Sequence, residues 1–185
     1  MDYIREQIQT LDQYTYFDEQ EFLREKVHDR EFLQQLMTQV RRELMKTDED
    51  DKRCFLYGTL GNLYRLNEEP EQAIEYLKKG LELADPNSTR EVVIMIRLGE
   101  AYKYNQQHQK ALDQFDLAIL KCLEYEPAYL DFAYQHKGKC LMEMRLYSEA
   151  MEAFQGAHAV RKGKKDGELL QSTEHAIEFL KKLNE

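Results

Sequence analysis

The sequence predicts an all-α chain: a stack of three antiparallel helix hairpins, preceded by a helical extension and closed by a capping helix. Three observations carry this. Good helix formers dominate a chain of 185 residues with only 8 Gly and 3 Pro, too little punctuation for a many-turned β fold. Apolar residues recur at the i, i+3, i+4, i+7 spacing of a helix face. Three segments, 56–83, 94–121 and 133–160, then repeat one pattern in phase. Gly61, Gly99 and Gly138 are each followed twelve residues on by Ala73, Ala111 and Ala150, and four further on by Leu77, Phe115 and Phe154.

Taken along the chain, residues 1–47 lack the repeated pattern but keep helical periodicity. They read as a short helix at 2–13 and two amphipathic helices, "FDEQEFLREKV" and "REFLQQLMTQVRRELM". In the second, Phe32, Leu33, Leu36, Val40 and Leu44 form one stripe. Such an extension either caps the stack or forms an arm that covers the groove or dimerises. The polar "KTDEDDK" ends it and offers N-cap residues to the next helix.

The repeat region spans 48–165, with units at about 52–87, 88–125 and 127–163. Small residues let paired helices approach, so Gly61 and Ala73 are expected in contact, while Tyr57, Leu60, Tyr64 and Leu77 fill the space between units. Pro70 suits the first turn of a second helix, where its missing N–H costs little. The glycines lie 38 and 39 residues apart, four or five more than the usual period of about 34. With the glycine-to-alanine spacing constant, the excess is expected to lengthen helices at the unit junctions, near Pro86 and Pro127. Breaks at Gly163 and Gly167 precede a capping helix over 166–185, whose apolar face is Leu169, Leu170, Ala176, Ile177, Leu180 and Leu183.

These units resemble the tetratricopeptide repeat (TPR) family. "YGTLGNLY" with "AIEYL", and "MIRLGEAY" with "ALDQF", carry its aromatic-x-x-Leu-Gly-x-x-Tyr and Ala-x-x-x-Phe pattern. The third copy, "YQHKGKCL" with "AMEAF", departs at Lys137 and Leu141. The resemblance covers about residues 52–163 and implies a right-handed α-solenoid of three TPR units. It also implies that the first helix of each unit, helix A, lines a concave groove. By that phase the groove carries Phe55, Gly58, Asn62, Arg65 and Leu66 from the first unit. The second contributes Val93, Ile96, Glu100, Lys103 and Tyr104, and the third Phe132, Gln135, Lys139, Met142 and Glu143. Asn62, Arg65, Glu100, Lys103, Tyr104, Gln135, Lys139 and Met142 are the candidate partner-binding residues, a mixture suited to a peptide. Asn62 matches one position of the carboxylate clamp in chaperone-tail-binding TPRs. Gly58, Arg97, Phe132 and His136 replace its other residues, which argues against that type of adaptor.

A formal charge of −9, from 35 acidic and 26 basic residues, disfavours a nucleic acid or an anionic membrane as partner. Cys54, Cys122 and Cys140 are odd in number, without Cys-x-x-Cys, and read as buried free thiols of a cytoplasmic protein. The N-terminus does not read as a secretory signal, and no apolar run is long enough to span a bilayer. No Gly-rich phosphate loop or His-Glu-x-x-His occurs, and His28-Asp29 lacks the further ligands of a metal phosphohydrolase. No catalytic, cofactor or metal residue is assigned.

The expected function is a non-catalytic interaction module, an adaptor or scaffold that binds a partner's peptide or helix, an acidic segment being one candidate. The alternatives are a peptide-sensing regulator of bacterial type and a homodimer that buries the groove. Lys139 faces the groove in this phase. Lys137 replaces Leu60 and Leu98, and must reach water or a carboxylate. The basic run Arg161, Lys162, Lys164 and Lys165 reads as cations at a helix C-terminus and a solvated loop, with a docking patch as the alternative.

Overall fold

The structure, a computed structural model, describes residues 1–184. Its elements are α1 (Asp2–Leu11), β1 (Thr15–Asp18), β2 (Arg24–Val27), α2 (Arg30–Leu44), α3 (Asp50–Leu66), α4 (Pro70–Glu82), α5 (Thr89–Tyr104), α6 (His108–Glu124), α7 (Leu130–Glu143), α8 (Tyr147–Lys164) and α9 (Gly167–Leu183). Helices α3/α4, α5/α6 and α7/α8 are the three hairpins, with α2 packed against α3 and α9 against α8. Helices α3, α5 and α7 are the A helices, each beside the next.

The repeated glycines work as close-contact positions. A Cβ on Gly61 would lie 2.3 Å from Leu77 Cγ, one on Gly99 2.5 Å from the Phe115 ring, and one on Gly138 2.7 Å from the Phe154 ring. The glycine thus makes room mainly for the large residue of the second helix. Ala73 contributes its carbonyl, 3.1 Å from the same position on Gly61. Leu77, Phe115 and Phe154 are fully buried as a result.

The turn between paired helices closes the same way three times. Glu68, Gln106 and Arg145 take left-handed φ of 62°, 57° and 62°. The next N–H groups, of Glu69, Gln107 and Leu146, reach back to the carbonyls of Tyr64, Tyr102 and Leu141 at 2.9, 2.9 and 3.0 Å. This is the Schellman closure, which favours glycine at its left-handed position. None of the three positions is glycine, so the hydrogen bonds and packing hold a residue with a Cβ where it is strained.

Four local expectations change. "FDEQEFLREKV" is not a helix: it carries the end of β1 and all of β2, an antiparallel hairpin that pairs Thr15 with Val27 and Asp18 with Arg24. The excess residues of the first unit junction form an irregular turn at 83–88, not a longer helix; in the second, α6 extends to 17 residues and a 3-10 turn, Pro127–Tyr129, follows. Helix α8 continues through Gly163 to Lys164 and is closed by Lys165, whose φ is 60°. The acidic run before α3 supplies no side-chain cap to it. Pro70 is the first residue of α4, as expected.

Two stability changes follow from this packing. Gly99→Ala forces the Phe115 ring to move and is expected to cost roughly 1–3 kcal/mol in urea denaturation. Arg145→Gly, at an exposed left-handed position, is expected to stabilise by ~0.5–1 kcal/mol in the same measurement.

Candidate functional site

The concave face is not empty: the β1–β2 arm lies across the C-terminal turns of α3, α5 and α7. Phe22 and Leu23 at the arm's tip take φ of 53° and 60°, which turns Leu23 into the stack, where it is 2% exposed. The Lys139 amine donates to the Leu23 carbonyl at 3.1 Å and sits 3.8 Å from the centre of the Phe17 ring. Arg24 grips Glu143 in two places, Nε to Oε1 at 3.0 Å and Nη2 to Oε2 at 2.7 Å, and also donates to the Lys103 carbonyl. The Tyr104 hydroxyl accepts from the Glu25 N–H at 2.7 Å and donates to the Glu25 carbonyl at 3.1 Å. Arg65 donates to the Glu25 carboxylate at 2.7 Å, to the Tyr104 hydroxyl at 3.0 Å and to Asn62 Oδ1 at 2.8 Å.

Of the eight candidate residues, Arg65, Tyr104 and Lys139 hold the arm by their side chains, and Asn62 orients Arg65. Lys103 lies 3.5 Å from Glu143, and Glu100 3.5 Å from Arg65. Met142 belongs to the core, and Gln135 is buried with neither amide atom hydrogen-bonded among the described residues. The narrowed candidate set omitted Glu143, which lies on the groove face and is the strongest anchor of the arm. Its signal in the sequence was repeat phase alone. The arm residues Leu23, Arg24 and Glu25 gave no signal.

The charges are tuned by burial. Burial alone would lower the Arg65 pKa, but Glu100, Tyr104 and Glu25 outweigh it and keep the guanidinium charged. Burial raises the Tyr104 hydroxyl well above its ordinary value. Lys139 is pushed down to about 7, by burial first and then by Lys103. His136 is held well below the ordinary histidine range by burial and by Lys139, Lys103 and Arg65. Burial opposes ionisation of Glu143, yet the Arg24 hydrogen bond and the charges of Lys103 and Arg24 leave its pKa below the usual 4.5.

No group of three or more metal-ligating side chains comes together among the described residues. The three cysteines are buried and free, and burial pushes Cys122 up to about 11 and Cys140 up to about 12, so neither is a ready nucleophile. Asp29 caps α2 through the Phe32 N–H. Among the described residues no helix is long and apolar enough to cross a membrane.

Residues 51–119 match the family model described as tetratricopeptide repeat, and α7/α8 repeat the geometry of the two matched hairpins. Residues 51–119 are thus tetratricopeptide repeats, and the whole chain has the TPR-like α-solenoid fold. The apo form of RapI is similar in fold at 12% identity and TM-score 0.70, covering 85% of this chain and 58% of RapI. A putative kinesin light chain with nearly identical TPR-like repeats, from Podospora anserina, shares 15% identity at TM-score 0.68, covering 98% and 86%. PlcR of Bacillus thuringiensis, solved with the peptide PapR7 and DNA, shares 16% at TM-score 0.67, covering 78% and 54%. The chain thus spans less than two thirds of RapI and of PlcR. No curated protein sequence gives a significant match.

Two basic features of the TPR stack are structural. Lys137 finds its carboxylate, Asp116, at 2.5 Å. In the C-terminal cluster Arg161 is 2% exposed and is no solvated cation. It donates to fully buried Asp131 at 2.9 Å, and to Leu169 O and Thr173 Oγ1 of α9 at 2.9 and 2.7 Å. Lys164 adds a second contact to Asp131, at 2.5 Å.

Two outcomes are expected. Asp131→Ala strands a buried guanidinium and should cost about 3 kcal/mol in chemical denaturation, with α9 losing amide protection first. Glu143 contributes stability above the ordinary carboxyl value of 4.5, and this is lost as pH falls through its lower folded value. The amide protection factors of Leu23–Glu25, corrected for intrinsic exchange, should therefore fall on acidification below 4.5, and Glu143→Gln should flatten that dependence.

Proposed function

We propose that this protein is a non-catalytic interaction module that takes a segment of a partner polypeptide into its concave groove, in place of its own arm. The single observation that supports this is the way the groove holds Leu23–Glu25. It engages backbone through Lys139 and Tyr104, seats one apolar side chain, and pairs one cation and one carboxylate through Glu143 and Arg65. Backbone capture with alternate side-chain pockets is how extended peptides are recognised in general. The arm is then an internal competitor, and a partner's apparent affinity falls by the fraction of molecules in which the arm is docked.

A peptide-sensing role is the second reading, favoured by the likeness in fold to PlcR with its bound PapR7. A homodimer that buries the groove requires the same displacement of the arm.

The test uses the full chain carrying Leu23→Asp and Arg24→Glu, which remove the buried side chain and oppose Glu143. A labelled peptide copying residues 14–28 is expected to bind this variant saturably, about tenfold or more tighter than wild type, by fluorescence anisotropy. Adding Lys139→Ala should weaken that binding. The reading fails if the arm amides of the variant exchange freely and the peptide still does not bind. A dimer of the variant in size-exclusion chromatography, with no peptide binding, would favour the homodimer instead.

A further inference from the structure

The arm covers only part of the A-helix face. Toward the N-termini of α3 and α5 a cavity of about 280 Å³ remains, lined by Phe55, Gly58, Val93, Ile94, Arg90 and Arg97 among others. Its floor is apolar. Gly58 lets Ile94 pack close against α3 there, since a Cβ would come within 3.1 Å of Ile94 Cγ1. The volume suits one or two side chains and is small for a cofactor.

The two arginines in its wall differ. Arg90 is spent on Asp51, with hydrogen bonds to its carboxylate and its carbonyl. Arg97 is not spent: its guanidinium makes a single long hydrogen bond, 3.4 Å to the Gly58 carbonyl. Among the described residues it forms no ion pair. Arg24, Arg65 and Arg161, the other arginines of the groove and core, each hold a carboxylate. A guanidinium carries five N–H donors in a planar fork that fits a carboxylate in two places. Glu100, Glu25 and Asp12 act on Arg97 from a distance; the first two are engaged with Arg65, and Asp12 makes no ion pair or hydrogen bond to Arg97. Burial, then the neighbouring charge of Arg65, lower the Arg97 pKa, as expected for a cation lacking a counter-charge.

We infer that this cavity is a subsite for an acidic side chain of a partner polypeptide, with Arg97 pairing the carboxylate and Phe55, Val93 and Ile94 receiving an adjacent aliphatic residue. The inference rests on the reading that the A-helix face takes polypeptide. It concerns the uncovered half of that face, so the arm need not leave.

The probe is a labelled, acetylated and amidated pentapeptide with a central glutamate between two leucines, tested by fluorescence anisotropy on the full chain. Wild type should bind it saturably, with the glutamine counterpart weaker by about tenfold or more. Arg97→Gln should erase that difference and Arg97→Lys should restore part of it. Unchanged amide protection of Leu23–Glu25 will show that the variants are folded. Equal binding of the two peptides, a preference that survives Arg97→Gln, or no binding at millimolar concentration overturns the inference. If succinate displaces the probe at equal concentration, the site belongs to a small acid, which overturns the polypeptide assignment. The Leu23→Asp/Arg24→Glu chain should bind the glutamate probe as wild type does. Arg97→Gln placed in that chain should leave binding of the 14–28 peptide intact, so this subsite and the arm-covered groove can fail separately.

Discussion

Leu77, Phe115 and Phe154 rest directly on the backbone of the A helices at Gly61, Gly99 and Gly138, and that contact pins each of the three hairpins on which the rest of the stack is built. A methyl group at any of the three glycines would overlap a side chain that is fully buried. Close approach here sets how far apart paired helices lie. That distance decides which A-helix residues face inward and how wide the concave face is. The same contact explains why the turns accept strain. With the two helices pinned, Glu68, Gln106 and Arg145 must supply a left-handed residue where glycine would be cheaper.

The concave face thus collects long, charged side chains in a narrow space. Arg65, Glu100, Lys103, Lys139 and Glu143 are all at most slightly exposed. Charges removed from water are costly unless paired and hydrogen-bonded. The arm supplies the missing partners: a cation for Glu143, a carboxylate for Arg65, a carbonyl for Lys139, and an N–H and a carbonyl for Tyr104. The strained tip at Phe22 and Leu23 is held by those bonds and by the burial of Leu23. At the other end of the same face Arg97 has no such partner, and there the face stays open.

This division separates two kinds of positive charge in an acidic chain. Arg161 and Lys164 fall in a dense basic run that reads in the sequence as helix-terminal cations and a solvated loop, with a docking patch as the alternative. Asp131, thirty and more residues earlier, turns both into a fastening between α7, α8 and the terminal helix. Lys137 is likewise taken up by Asp116. Arg97 attracts little notice in the sequence, and its distinction comes from what surrounds it.

By itself the sequence determined the helices of the three repeats, their phase, the tight glycine contacts and the inward-facing positions. These depend on helical period and residue size, both local and legible in order along the chain. It also determined that Lys137 must reach water or a carboxylate; the structure supplies Asp116. The tertiary structure alone decided the fate of residues 15–27. Their turn contains no glycine, proline or asparagine to mark it, and their spacing fits an amphipathic helix. The partners that make them a hairpin lie 79 to 119 positions away, on Lys103, Tyr104, Lys139 and Glu143. Local propensity yields when non-local hydrogen bonds and ion pairs satisfy buried charges that would otherwise be stranded. Which groove residues are covered and which are open is settled by the same long-range contacts.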